Sequence, residues 1–386
     1  GDFQLVGPYL AAHVPHLQVW AEMRREGALE DNSMLLKGLA GAASVQQVFD
    51  YYQGWLANPS ISPHYQPLTN AQTAFAKQWG LNTAMEDLHR LIQKARAGGK
   101  RRVILGGHSL GGAEAAIYPA WDFHGRAGYK DLAGIVGIDG GVLGRPASIA
   151  SKAQAQAAVK QLDTSGPWRD ILGFGLPWVQ GPLAEIGALT VLKEPNAPSI
   201  AQNFPLLPKS LDPGVPVTNV AQFGFAFDQK TSPSFLALIQ VHSGHVSPTG
   251  SPHGWVNDGI TPIENVAKAF GTEPLPALDW YYPQRLTIDV GAAGSMRQTP
   301  AARALGLHLA HLRQVDVPYY AFQAALGGRD NGVVRGARAY KRKSHVPSVT
   351  VVNRASTYAH LDPLLADPAR NDFLKTVVPW LRRRVR

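Results

Sequence analysis

The hydrophobic and polar positions alternate in two registers along this chain. The segment "HLQVWAEM" (His16 to Met23) has apolar and polar residues in alternation around Val19 and Trp20, a period of two that predicts a strand. In "NTAMEDLHRLIQKARAGG" the period lengthens to that of a helix, with Ala84, Leu88, Leu91, Ile92 and Ala95 on one face. Thr83 followed by Glu86 predicts a capping box at its start, and Gly98 and Gly99 predict its end. Short apolar runs follow. "RVIL" (Arg102 to Leu105) predicts a buried strand, Ala113 to Tyr118 a helix, and "LAGIVGIDGG" (Leu132 to Gly141) a second buried strand ending in glycines.

From about Val142 to Ala293 this alternation gives way to stretches rich in proline and aromatics, which predict short helices and loops. It returns with a helix around "TPAARALGLHLAHL", strands in "VPYYAFQAA" (Val317 to Ala325) and "SVTVV" (Ser348 to Val352), and a final helix that buries Phe373, Val377, Trp380 and Leu381. Pro379 is expected to kink or shorten that helix. Strands alternating with helices predict an α/β fold, a mostly parallel sheet flanked by helices. The expected organisation is a core of residues 1–142 and 299–386, interrupted by an inserted lid over 143–298.

Composition narrows the class. With 386 residues, 45% hydrophobic and 17% charged, the chain has the make-up of a globular protein, and no apolar run approaches the roughly 20 residues of a membrane span. The absence of cysteine excludes disulfides, thiolate metal sites and cysteine catalysis. The net charge of +9 is concentrated in "YKRKSH" (Tyr340 to His345) and the terminal "LRRRVR". No nucleic-acid-binding motif accompanies these runs, so they read as a solvated basic edge rather than as a binding surface for nucleic acid or membrane. The chain begins at a glycine, and a preceding segment carrying the earliest strands is expected; export to a periplasmic or extracellular location is the favoured expectation for localisation.

The candidate chemistry lies in "RRVILGGHSLGGAEAAIYPAW". Gly107-His108-Ser109-Leu110-Gly111 matches G-x-S-x-G between a predicted strand and a predicted helix. A serine hydroxyl attacks poorly until a sharp turn aims it, and the flanking glycines leave room for such a turn. Ser109 is therefore the candidate nucleophile. The backbone N–H of Leu110, next in sequence, is a candidate oxyanion donor. A second donor has no marker: no His-Gly pair precedes Ser109, leaving the region around Gly7 or a segment upstream of the chain.

The stretches "EDLHRLIQKARAGGKRRVILGGHSLGG", "LVGPYLAAHVPHLQVWAEMRREGALED" and "AHLDPLLAD" resemble the α/β-hydrolase superfamily over roughly residues 1–140 and 300–386. The resemblance implies the chain order serine, acid, histidine. It places the general base at His360 in "YAHLDPL", after the last strand, and the orienting acid at Asp330 in "AFQAALGGRDNGVV", after the penultimate strand. Asp139 in "GIDGG" is the rival acid, at a position some lipases of the superfamily use; Asp362 stands too close to His360 in sequence to reach around its ring. The implied activity is hydrolysis of a carboxylic ester through an acyl-enzyme, with a small-molecule or lipid-like substrate and without metal or organic cofactor. Trp168, Phe174, Trp178, Phe204, Phe223, Phe225 and Phe227 are candidates for an apolar pocket in the lid, which favours a bulky ester. The same triad serves an amidase or an acyltransferase, and a non-catalytic binding module of the same fold is the reading from another class. The clustered His242, His245 and His253 suggest a metal, but their spacing fits no standard site and a polar loop is the expected reading.

Overall fold

The computed structural model describes residues 3–384 except 274, 276, 277, 329 and 330. Its contacts divide the chain into two compact units, one of residues 68–168, 283–357 and 375–386, the other of 1–67, 169–282 and 358–374.

The first unit contains a four-stranded sheet made of β1 (Ile104–His108), β2 (Gly134–Ile138), β3 (Tyr319–Gln323) and β4 (Val349–Asn353), in that spatial order and with every neighbour parallel. The chain is thus an α/β protein with a central parallel sheet flanked by helices. Every residue of β2 and β3 is buried, as expected of strands covered on both faces, and their apolar runs GIVGI and YYAFQ are the runs the sequence marks. The adjacent residues Tyr319 and Tyr320 point to opposite faces of the sheet. Tyr319 packs edge-on against Tyr340 of the helix Gly332–Lys343, whose hydroxyl donates to the Ala116 carbonyl at 3.0 Å. Tyr320 packs against Trp380 of the last helix, and its hydroxyl lies 2.7 Å from that of Thr376. The basic run Lys341 to Lys343 forms the last turn of Gly332–Lys343, where positive charge complements the helix dipole.

The helix predicted from "NTAMEDLHRLIQKARAGG" spans Leu81–Arg96, with Leu81, Met85, Leu88 and Ile92 buried, and stops at Ala97, Gly98 and Gly99, all at positive φ. Its start differs from the capping-box expectation. The helix begins two residues before Thr83, and the Leu81 N–H donates to Asp289 Oδ2 at 2.9 Å, a carboxylate held by Arg285 Nε at 2.8 Å. Gly80 is required there, since a Cβ would stand 2.1 Å from that oxygen. The last helix, Asp372–Arg382, buries Phe373, Val377, Trp380 and Leu381 as predicted, and Pro379 stands inside it, three residues before its end.

The second unit is mainly helical, with a hairpin of Gly244–Gly250 and His253–Asn257. Its helices Gln180–Lys193 and Ile263–Gly271 approach so closely that a Cβ on Gly271 would lie 2.9 Å from that of Ala188. An aromatic core joins Tyr52, Tyr65 and Trp280 by edge-on contacts of 5.4–5.5 Å to the tryptophan. Two carboxyl groups flank Trp280: Glu30 accepts its backbone N–H and Glu185 its indole N–H. The predicted strand His16–Met23 is not formed. The segment has no strand partner, and Val19, Trp20 and Met23 are exposed, so alternation alone made no strand there.

Candidate functional site

Because all four strands run the same way, their C-terminal ends bring His108, Ile138, Gln323 and Asn353 to one edge of the sheet. In open parallel sheets this is the edge where ligands bind. Ser109 follows β1 directly and is the first flanking residue of the helix Leu110–Ile117, with φ 55° and ψ −118°. A non-glycine residue there is strained, and such strain persists only where the surroundings impose it. Here the surroundings are backbone. The Ser109 N–H donates to the Ile138 carbonyl at 2.9 Å, and the Ser109 carbonyl accepts from Gly112 and Ala113. A Cβ on Gly107 would stand 2.0 Å from the Gly111 oxygen, and one on Gly140 1.8 Å from the Ser109 oxygen. Both glycines are therefore needed for the turn, which Leu110 leaves as the first residue of the helix.

Asp139 follows β2 on the same edge, also at positive φ (43°) and buried. Its carboxylate accepts backbone N–H groups of the segment after β3: Ala324 at 2.8 Å and Gly327 at 3.0 Å on Oδ1, Leu326 at 3.2 Å on Oδ2. Three backbone donors make it an anchor for that segment. Asp330 lies just beyond, outside the described residues. Asn331, next in sequence, is held at φ 54°, and its Oδ1 accepts from the amides of Gln323 (3.1 Å) and Asn353 (3.3 Å). Gln323 is completely buried, also donates to Asn353 at 2.9 Å, and accepts the Val334 N–H at 3.1 Å. The segment between β3 and the helix Gly332–Lys343 is thus tied down at both ends, by a carboxylate on one side and by amides on the other. Sequence reading does not single out Gln323, Asn331 or Asn353; the signal for them is their place at the end of, or just after, the last two predicted strands.

His360 belongs to the other unit and is buried, 2% exposed. The carboxylate two residues on, Asp362, is engaged elsewhere. It is fully buried and accepts four donors: the His242 N–H (2.9 Å) and Thr261 hydroxyl (2.6 Å) on Oδ1, and the Ala359 N–H (2.6 Å) and His242 Nδ1 (2.7 Å) on Oδ2. A charged carboxylate at 2.7 Å assigns the proton to Nδ1. The Ala359 N–H, 3.0 Å from that nitrogen, therefore bonds to the carboxylate rather than to the ring. The hydrogen bond to Asp362 raises the His242 pKa above its ordinary value, against the opposing effect of burial; the negative charges of Asp362 and Asp228 add to the rise and Lys230 opposes it. The other two histidines of the cluster act separately. His245 Nδ1 lies 3.2 Å from Asp258, and His253 Nδ1 lies 2.8 Å from the Ser247 carbonyl. Among the described residues no group of three or more His, Cys, Asp or Glu side chains is placed to hold a metal ion, and no helix is long and apolar enough to cross a membrane.

A cavity of about 310 Å³ in the first unit, lined in part by Lys77, Val159, Lys160 and Arg285, contains none of the candidate residues. Near the N-terminus, the Gly7 N–H is occupied by the Phe3 carbonyl at 2.7 Å.

The parallel sheet and its edge define an α/β protein with a strained serine at a strand-to-helix turn. No protein-family model and no curated protein matches the chain. Among solved structures it is similar to a crystal structure of a "putative lipase" from Sulfolobus solfataricus, at 17% identity and a TM-score of 0.44, covering 83% of this chain and 71% of that one. A likeness that distant assigns no role to any residue.

Proposed function

We propose that the chain is a serine hydrolase of the α/β-hydrolase type, acting on a carboxylic ester through an acyl-enzyme. The observation that carries this reading is the backbone of Ser109, held at φ 55° between β1 and the helix Leu110–Ile117 by glycine contacts on both sides. A strand–serine–helix turn in that conformation lifts the hydroxyl clear of the backbone and puts a helix N-terminus beside it. In this reading Ser109 attacks the ester carbonyl while His360 takes its proton. The Leu110 N–H stabilises the oxyanion, and His360 returns the proton to the leaving alcohol. Water activated by His360 then releases the acid. Asp330 orients His360; Asp139, whose carboxylate already serves three backbone donors, supports the segment leading to Asp330. The segment 143–298 acts as a lid favouring bulky or apolar esters.

Labelling with a fluorophosphonate, followed by turnover of p-nitrophenyl esters and the matching anilides, tests the proposal. Stoichiometric labelling lost in Ser109→Ala, with ester turnover exceeding anilide turnover, is the expected result. Absence of labelling removes every acyl-enzyme reading; faster anilide turnover converts the assignment to an amidase.

A further inference from the structure

Both peptide neighbours of His360 are tied to one distant segment. The Ala359 N–H bonds to Asp362, whose carboxylate is in turn gripped by the backbone and ring of His242. The Leu361 N–H donates to the Gln240 carbonyl at 3.0 Å. Residues 240–242 therefore determine where the backbone on either side of His360 stands. That segment is itself fixed from its far side by Asp228, whose buried carboxylate accepts the N–H groups of Ser243 (2.8 Å) and Gly244 (3.0 Å). The Thr261 N–H donates to the His242 carbonyl at 2.9 Å and its hydroxyl to Asp362, completing the clamp.

At the centre of this clamp Asp362 is sealed, and the ring of His242, about one quarter exposed, supplies one of its donors at 2.7 Å. A neutral amide at position 242 could supply the same donor.

We infer that the His242–Asp362 pair is a positioning dyad for His360: with the Gln240 carbonyl, it fixes the backbone on both sides of that residue. The inference rests on the proposed role of His360 as general base. Misplacing a catalytic group by about 1 Å costs on the order of 100-fold in rate, so loosening the clamp acts on kcat before KM.

The test compares His242→Leu and His242→Asn with the unaltered chain, using p-nitrophenyl butyrate across pH 5–9. Rates are expressed per site titrated by fluorophosphonate, so that misfolded protein drops out. His242→Leu is expected to lower kcat roughly 10- to 100-fold with KM changed by less than about threefold. His242→Asn, whose amide nitrogen can take the place of Nδ1, is expected to recover most of that kcat. Unaltered kcat per titrated site in His242→Leu overturns the inference. So does a His242→Asn variant that recovers none of the kcat lost in His242→Leu, or a loss in His242→Leu that falls on KM rather than on kcat. Failure of the underlying reading looks different: turnover then survives in Ser109→Ala or His360→Ala.

Discussion

Replacing Asp139 with asparagine separates two roles that a carboxylate at this position can have. The carboxylate receives the N–H groups of Ala324, Leu326 and Gly327 at 2.8–3.2 Å and is 3% exposed. Asparagine keeps one acceptor oxygen, so two of the bonds survive at neutral rather than charged strength, and its NH2 group faces the third N–H. Hydrogen bonds to a charged group contribute about 1.5–3 kcal/mol against about 1 for neutral ones, and a stranded buried donor costs about 1–3 kcal/mol more. The expected destabilisation is about 3–5 kcal/mol, read by urea unfolding of Asp139→Asn against the unaltered chain. Ester turnover per titrated site should fall by roughly 10-fold, the effect of a displaced segment. The orienting acid of a triad behaves in the opposite way, costing on the order of 10⁴ in kcat with the surrounding geometry intact. A stable Asp139→Asn protein with a loss of that size would refute the anchoring argument and make Asp139 the acid.

Asp330→Asn should give the complementary result, a loss on the order of 10³–10⁴ in kcat with stability near that of the unaltered chain, measured by the same two assays. Gly140→Ala brings a methyl to within 1.8 Å of the Ser109 carbonyl oxygen, a backbone atom with little room to move; fluorophosphonate labelling should fall at least 100-fold, and labelling at the normal rate would show that the turn yields. Glu30 lies beside Trp280 with one buried oxygen unpartnered, and burial pushes its pKa up to about 8; burial likewise raises that of Glu185. An acid whose folded pKa exceeds its unfolded value holds a proton in the folded state alone between the two. Stability therefore falls as pH rises from about 4.5 to 8, by about 1.4 kcal/mol per unit for one such group. Urea titrations of Glu30→Gln should show a shallower decline over that window, and an unchanged slope would place the sensitivity elsewhere.

The parts of this fold legible in the sequence are those set by local physics. The helix Leu81–Arg96 announces itself by its apolar face and its glycine stop, and β2 and β3 by apolar runs too short for helices. The turn at Ser109 is legible because glycines at 107 and 111 flank a serine between a strand and a helix. What sequence does not reveal is paired over long distances. Leu81 receives its cap from Asp289, so the local Thr83–Glu86 signal is idle. Val19 and Trp20 alternate as a strand should, yet both are exposed and neither lies in a strand. The partnership of His242 with Asp362 spans 120 residues, and nothing around either residue signals it. The same holds for Gln323, Asn331 and Asn353, ordinary amides until three segments bring them together.

The pairing of β2 with β3 has a consequence for how the molecule is made. Ile138 lies beside Phe322, about 180 residues further along the chain. At ribosomal speeds of about 5–20 residues per second, the fully apolar GIVGI strand waits roughly 10–40 seconds for its second neighbour. Throughout that interval one edge of a two-stranded apolar sheet is open to any other extended chain, the situation that favours misassembly. Yield in a foreign host should therefore respond to slower synthesis, lower temperature and chaperone supply more than to changes on the finished surface.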